Sequence, residues 1–229
     1  MALYSNRDDA GNAVAAALAR RYAGRQDVTV LALPRGGVPV AFQVAARLGA
    51  PLDVFVVRKL GVPGHEELAM GAIASGDVRV LDEELIAELG IPRGAIEAAT
   101  VREAEELVRR ERSYRGARPP LEVSGRTAIL VDDGLATGST MRAAVAGLRL
   151  RRPARVVVGV PIAAPSTCER LAREVDDIVC AATPEPFYSV GSWYRDFSQT
   201  TDDEVRELLE RAAREHAARE NASAAGQHA

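Results

Sequence analysis

Aromatic residues are scarce in this 229-residue chain, at 4% for Phe, Trp and Tyr together. A core without many rings must be filled by aliphatic strands under Ala-rich helices, and Ala, Val, Leu and Arg are abundant. Cysteine is nearly absent. Cys168 and Cys180 stand in apolar or helical surroundings and form no metal-ligand spacing, which argues against a disulfide framework and predicts reduced, buried thiols in a cytoplasmic protein. No apolar run approaches the length needed to cross a bilayer, and Arg7, Asp8 and Asp9 ahead of an Ala-rich amphipathic stretch do not make a secretory signal. A strong charge of one sign is also missing. The net charge of −3 offers no general argument for nucleic acid or a membrane as partner. The length suits one α/β domain over 1–220, with a disordered tail at 221–229.

What is present is organised around Thr127 to Met141, TAILVDDGLATGSTM. The apolar run Ala128-Ile129-Leu130-Val131 reads as a buried parallel strand. It ends in two adjacent carboxylates, Asp132 and Asp133. Gly134, Ala136, Thr137, Gly138, Ser139 and Thr140 follow, small or hydroxylated residues that let backbone amides approach a ligand. From Met141 the pattern turns helical. Strand, small-residue loop and helix N-terminus form a cradle for phosphate, because unpaired amides and the helix dipole both favour an anion. The carboxylates would repel a bare phosphate, so they should face sugar hydroxyls or a magnesium ion. That combination points to a sugar phosphate. A nucleoside-triphosphate P-loop is the obvious rival, but no Lys follows Gly138 and the acids precede the loop.

The same arrangement occurs earlier. Val28 to Leu33 reads as a core strand running into Pro34-Arg35-Gly36-Gly37 and then a helix. Taken alone this is a tight turn with a solvated Arg; beside the later loop, Arg35 and the Gly36 and Gly37 amides become a second anion site. Asp53 to Val57 reads as another core strand, with Arg58-Lys59 at the carboxyl end where open α/β sheets bind ligands. Arg155 to Val160 and Asp177 to Ala181 supply two more. Five core strands alternating with helices predict an open, mostly parallel sheet with helices on both faces. The intervening 61–120 is too long for a plain connection. It reads as a hairpin around Ser75-Gly76-Asp77, a short helix capped by Asp82, and a helix from Gly94 to Tyr114 with Ile96, Val101, Ala104, Leu107, Val108 and Tyr114 near one stripe. The basic run Arg109 to Arg115 reads as a solvated helix face. A last helix is expected from Asp202 to His216.

The segment ILVDDGLATGST resembles the phosphoribosyl-pyrophosphate (PRPP) signature of type I phosphoribosyltransferases. The resemblance implies transfer of ribose 5-phosphate from PRPP, as its Mg2+ complex, to a nitrogen acceptor such as a nucleobase, with release of pyrophosphate, in nucleotide salvage. It places Ala136 to Thr140 on the 5-phosphate, and Asp132 and Asp133 on the ribose hydroxyls or on waters of magnesium. Arg35, Gly36, Gly37 and Lys59 fall on the pyrophosphate. A flexible lid is implied within 61–120 and a hood over the base at about 183–200, and a homodimer is the expected assembly. Glu66 and Glu67, in the polar cluster Gly64-His65-Glu66-Glu67, read as a solvated loop; as lid carboxylates they could protonate or orient a leaving base. Phe187, Tyr188 and Trp193 either seal the core edge or stack on the base. Where the family's 6-oxopurine enzymes carry an Asp, this chain has Ala136, which argues against hypoxanthine or guanine. A regulatory protein sensing PRPP or a nucleotide on the same fold is the alternative.

Overall fold

The apolar runs form strands where the periodicity predicts them. A computed structural model describes residues 2–76 and 78–226. Its elements are α1 (Arg7–Tyr22), β1 (Val28–Ala32), α2 (Gly37–Leu48), β2 (Leu52–Val54), β3 (Val57–Val62), β4 (His65–Ala74), β5 (Val78–Leu81), α3 (Glu83–Glu88), α4 (Arg93–Arg115), β6 (Thr127–Val131), α5 (Ser139–Leu150), β7 (Arg155–Ile162), α6 (Pro165–Leu171), β8 (Asp177–Ala182) and α7 (Asp202–Gly226). The main sheet has five parallel strands in the order β2-β1-β6-β7-β8. Both faces are covered, so every residue of β1 and of β6 is buried. Side chains alternate between two cores. Val28, Val30, Ile129, Val131 and Val157 face a cluster shared with α1, α2, α4 and α7. Leu31, Ala128, Leu130, Val156 and Val158 face one shared with α5 and α6.

A second, antiparallel sheet, β3-β4-β5, is inserted after β2. It departs from expectation at its start. The apolar run 53–57 pairs with the main sheet only as far as Val54; the Val56 amide donates to the Ser75 hydroxyl at 2.9 Å, and Val57 already pairs with Ala74. Asp82 caps α3 as expected, accepting from the Leu85 amide at 3.0 Å. Within α4, Ile96, Leu107 and Tyr114 are buried, whereas Val101 and Val108 face outward, because the packed stripe is narrower than the apolar pattern. Asp77, read as part of the hairpin turn, lies outside the described residues.

Two further expectations are corrected. The cysteines are not reduced, buried thiols: Cys168 on α6 and Cys180 on β8 form a half-buried disulfide, S–S 2.05 Å, because the α6–β8 packing brings their Cα atoms to 6.6 Å. The stretch read as a tail from 221 enters α7, which continues through Gly226; 227–229 lie outside the described residues. Among the described residues no helix is long and apolar enough to cross a membrane.

Candidate functional site

Strands β1 and β6 are parallel neighbours in register from Val28–Thr127 to Ala32–Val131, so the loops that follow them leave the sheet side by side. They are in contact. The Leu33 amide donates to the Val131 carbonyl at 2.9 Å. A Cβ on Gly37 would lie 2.8 Å from the Val131 oxygen and 3.0 Å from Asp132 Cα, and one on Gly36 would lie 2.0 Å from Asp133 Oδ2. Only glycine permits this approach. Gly36 precedes α2 without a side-chain cap. The Gly37 amide donates to the Leu33 carbonyl and the Val38 amide to the Arg35 carbonyl, both at 3.1 Å, and Pro39 has no N–H. What this loop offers an anion is therefore chiefly the Arg35 side chain. Arg35 projects from this loop half-exposed and pairs with Asp202 at 3.5 Å; Asp202 also accepts from the Tyr114 hydroxyl at 3.1 Å. Thus α4 and α7 hold the loop's one guanidinium from behind.

The loop after β6 makes the second cradle. Gly138 takes a left-handed conformation, φ +75°, and caps α5, again with no side-chain cap. Thr167 on α6 is buried and donates its hydroxyl to the Ala136 carbonyl at 2.7 Å, while Arg170 donates to the Thr137 carbonyl at 3.2 Å. A cavity of about 180 Å³ opens above, lined by Asp132, by Ala136 to Thr140 and by Val190. It suits a phosphate on the α5 amides, as the sequence predicts for Thr137, Gly138, Ser139 and Thr140.

The acids stand between the cradles. Asp132 Oδ1 accepts from the Asp133 amide at 2.8 Å. Burial and the neighbouring Asp133 charge hold the Asp132 carboxyl well above the usual range. Asp133 is also pushed up by burial, but the Arg7 guanidinium opposes this, at 2.9 Å from Asp133 Oδ2. Tyr194 donates its hydroxyl to the Asp133 carbonyl at 2.6 Å; burial, and then the Asp133 charge, push its phenol up, so it stays a donor.

Other predicted residues lie elsewhere. Lys59, exposed on β3 opposite Ala72, lines a separate cleft of about 490 Å³ between the small sheet and α5, together with Arg142. That cleft meets the phosphate cavity at Ser139, which lines both. Arg58 is engaged by Glu103 on α4, at 2.9 and 2.6 Å. Glu66 and Glu67 fall near the start of β4, and their side chains lie outside the described part of the structure. Among the aromatics, Phe187 and Trp193 pack with Ile162 and Tyr194 against the edge of the core, and Tyr188 is 81% exposed. From the stretch 183–200, expected to form a hood, Val190 lines the cavity among the described residues, and Gly134 packs against it.

The sequence pattern does not single out Arg7, Tyr194 or Asp202 as site residues. Arg7 reads locally as part of a helix start, and Tyr194 is one of five aromatics in a short stretch; their destinations are tertiary. For magnesium, the described residues hold no group of three or more His, Cys, Asp or Glu placed to bind a metal. Magnesium bound with a diphosphate needs only one or two carboxylates and keeps its waters, and Asp132 on the cavity wall fits that role.

A parallel sheet with glycine loops on two adjacent central strands, and two carboxylates where those loops meet, defines an open α/β domain with its candidate site at the carboxyl ends of the strands. Residues 4–184 match the family model of the phosphoribosyl transferase domain, and the chain belongs to that family, with the type I fold. Rv0571c of Mycobacterium tuberculosis strain H37Rv, named as a provisional phosphoribosyl transferase, is 46% identical over 217 residues, covering 95% of this chain and 48% of its own. The chain therefore spans about half the length of the curated relatives it matches at this identity. The Bifunctional protein PyrR of Roseiflexus sp. is 34% identical over 151 residues, 65% of this chain and 63% of that protein. Among solved structures, TT1426 from Thermus thermophilus is 41% identical, with a TM-score of 0.81, covering 91% of this chain and 98% of that one.

Proposed function

We propose that this domain binds PRPP as its magnesium complex and transfers ribose 5-phosphate to a nitrogen acceptor, releasing pyrophosphate. The observation that carries the proposal is the contact between the two glycine loops, which brings the Arg35 loop against Asp132 and Asp133 beside the cavity over α5. The 5-phosphate takes the α5 amides and the Thr137 to Thr140 hydroxyls. The diphosphate takes Arg35 and the loop around Gly36, with Lys59 reaching from the neighbouring cleft. The bond from C1 of the ribose to the diphosphate oxygen breaks, the nitrogen bonds to C1, and the nitrogen's proton leaves to solvent. Positive charge grows on C1 as the bond opens, and a fixed carboxylate nearby favours it. When bound, magnesium neutralises the departing diphosphate.

Ala136 in place of an acid supports an acceptor other than a 6-oxopurine. Incubation with PRPP, magnesium and a panel of nucleobases and other amines, following pyrophosphate release, tests the proposal. We expect acceptor-dependent release, with none for hypoxanthine or guanine. PRPP binding without release for any acceptor would favour the second reading, a PRPP-sensing regulator. The similarity to a PyrR protein motivates that reading.

A further inference from the structure

The two neighbouring acids are held in different ways, and we infer that they divide the work of the site: Asp132 is the carboxylate offered to the sugar, while Asp133 is an internal anion through which Arg7 positions the diphosphate loop. The inference rests on the PRPP reading above and assigns Arg7 as a positioning residue.

Arg7 Nε and Nη2 both reach Asp133 Oδ2 at 2.9 Å. Its Nη1 donates to the Ser198 carbonyl at 2.6 Å, and the guanidinium lies 4.0 Å from the centre of the Phe197 ring. The two side chains are only 11% and 17% exposed. The oxygen that receives both donors is also the one against which Gly36 packs. Arg7, Asp133 and Gly36 therefore form one contiguous row, from the first residue of α1 to the residue preceding α2. Gly11 lets α1 approach closely enough to deliver Arg7 there, since a Cβ on it would lie 2.9 Å from the Val40 carbonyl of α2. Tyr194 fixes the Asp133 main chain from the hood side. Asp132 differs on each point. It lines the phosphate cavity, which Asp133 does not, and among the described residues its side chain accepts only from the next amide.

The electrostatic consequence falls on one loop. An Asp133 carboxylate without its guanidinium is a buried negative charge against the Arg35-Gly36 loop, and it would repel a diphosphate bound there. With Arg7 in place the pair is neutral and the loop keeps its attraction for anions. Arg supplies a planar, permanently charged group that stacks on Phe197 while bonding sideways; Lys could restore the charge but not the stack.

The test is calorimetric titration of magnesium pyrophosphate, ribose 5-phosphate and PRPP into wild type, Arg7→Met, Arg7→Lys, Asp133→Asn, Asp132→Asn and the double variant Arg7→Met with Asp133→Asn. Arg7→Met is expected to weaken pyrophosphate binding by about tenfold or more, and ribose 5-phosphate by less than about threefold. Arg7→Lys should recover part of this loss, and the double variant should bind pyrophosphate better than Arg7→Met alone because the uncompensated charge is gone. Asp132→Asn should show the opposite preference, losing ribose 5-phosphate more than pyrophosphate. Equal weakening of both ligands by Arg7→Met and Arg7→Lys would mean a general loss of structure and would overturn the inference. So would an Asp133→Asn variant that loses ribose 5-phosphate as severely as Asp132→Asn. Wild-type protein that binds none of the three ligands would instead overturn the functional reading on which the inference stands.

Discussion

At Gly36 a single methyl group would fall 2.0 Å from Asp133 Oδ2, an oxygen already fixed by Arg7. The residue itself has ordinary helical angles, φ −59° and ψ −29°, so the glycine is required by space and not by backbone conformation. Gly36→Ala should therefore cost about 1–3 kcal/mol in overpacking and weaken PRPP binding, measured by urea unfolding and calorimetry. Gly94, in the first turn of α4 with nothing within 4 Å of its Cβ position, is the control: Gly94→Ala should stabilise by roughly 0.5–1 kcal/mol. Asp132 gives a third sign. Its charge is disfavoured by burial and by Asp133, so Asp132→Asn should raise the melting temperature at pH 7 by a few degrees, about 2–4 °C per kcal/mol, while reducing PRPP affinity. A fall in both quantities would contradict that account of the acid.

At the scale of elements, α4 and α1 are each pinned by their last turn. Arg115, the final residue of α4, is 9% exposed and its Nε meets both oxygens of Asp53 at 3.1 and 3.0 Å; Asp53 also accepts from the Leu121 amide. Removing one partner strands the other, so Arg115→Met should cost about 3–5 kcal/mol, and adding Asp53→Asn should return part of it. In α1 the Tyr22 hydroxyl donates to Asp177 Oδ2 at 2.6 Å, and burial followed by that hydrogen bond pushes its phenol up to about 12 from 10.0. The folded protein then holds a proton that the unfolded chain loses between pH 10 and 12. Stability from this contact is complete below pH 10 and is lost as pH rises through that window. Alkaline unfolding of Tyr22→Phe should show a shallower slope there than wild type. These pins also mark the limit of what periodicity reveals. The strands of the main sheet were legible because their runs are largely apolar, and β1 and β6 are covered on both faces. The start of the small sheet was not, since Val57 closes the apolar run that begins in β2 yet already pairs with Ala74. The two glycine loops were legible because small residues directly follow two of the apolar runs in the sequence. Arg7 was not, because nothing in Asn6-Arg7-Asp8 distinguishes a helix cap from a guanidinium aimed 126 residues along the chain.

For the molecule as a whole, the sheet ends differently at its two edges. β2, paired only with β1, is held by Asp53 and Arg115 and backed by α7, whereas β8, paired only with β7, is held through Asp177 by Tyr22 and Arg21 of α1. The Cys168–Cys180 disulfide ties β8 to α6, and α6 supports the phosphate cradle through Thr167 and Arg170. The bond spans a separation of 12 residues. Closing so short a loop restricts the unfolded chain by roughly 2–3 kcal/mol, which for a chain of this size is about 5–10 °C in melting temperature. Thermal unfolding with and without reductant, beside a Cys168→Ala and Cys180→Ala double variant, measures this contribution. Reductant should lower the melting temperature of the native chain by that amount and leave the double variant unchanged. Because the crosslink lies at the edge strand and not between the two loops, PRPP affinity well below the melting temperature should change by less than about threefold. A large loss of affinity with an unchanged melting temperature would instead show that α6 needs the bond to hold the cradle closed.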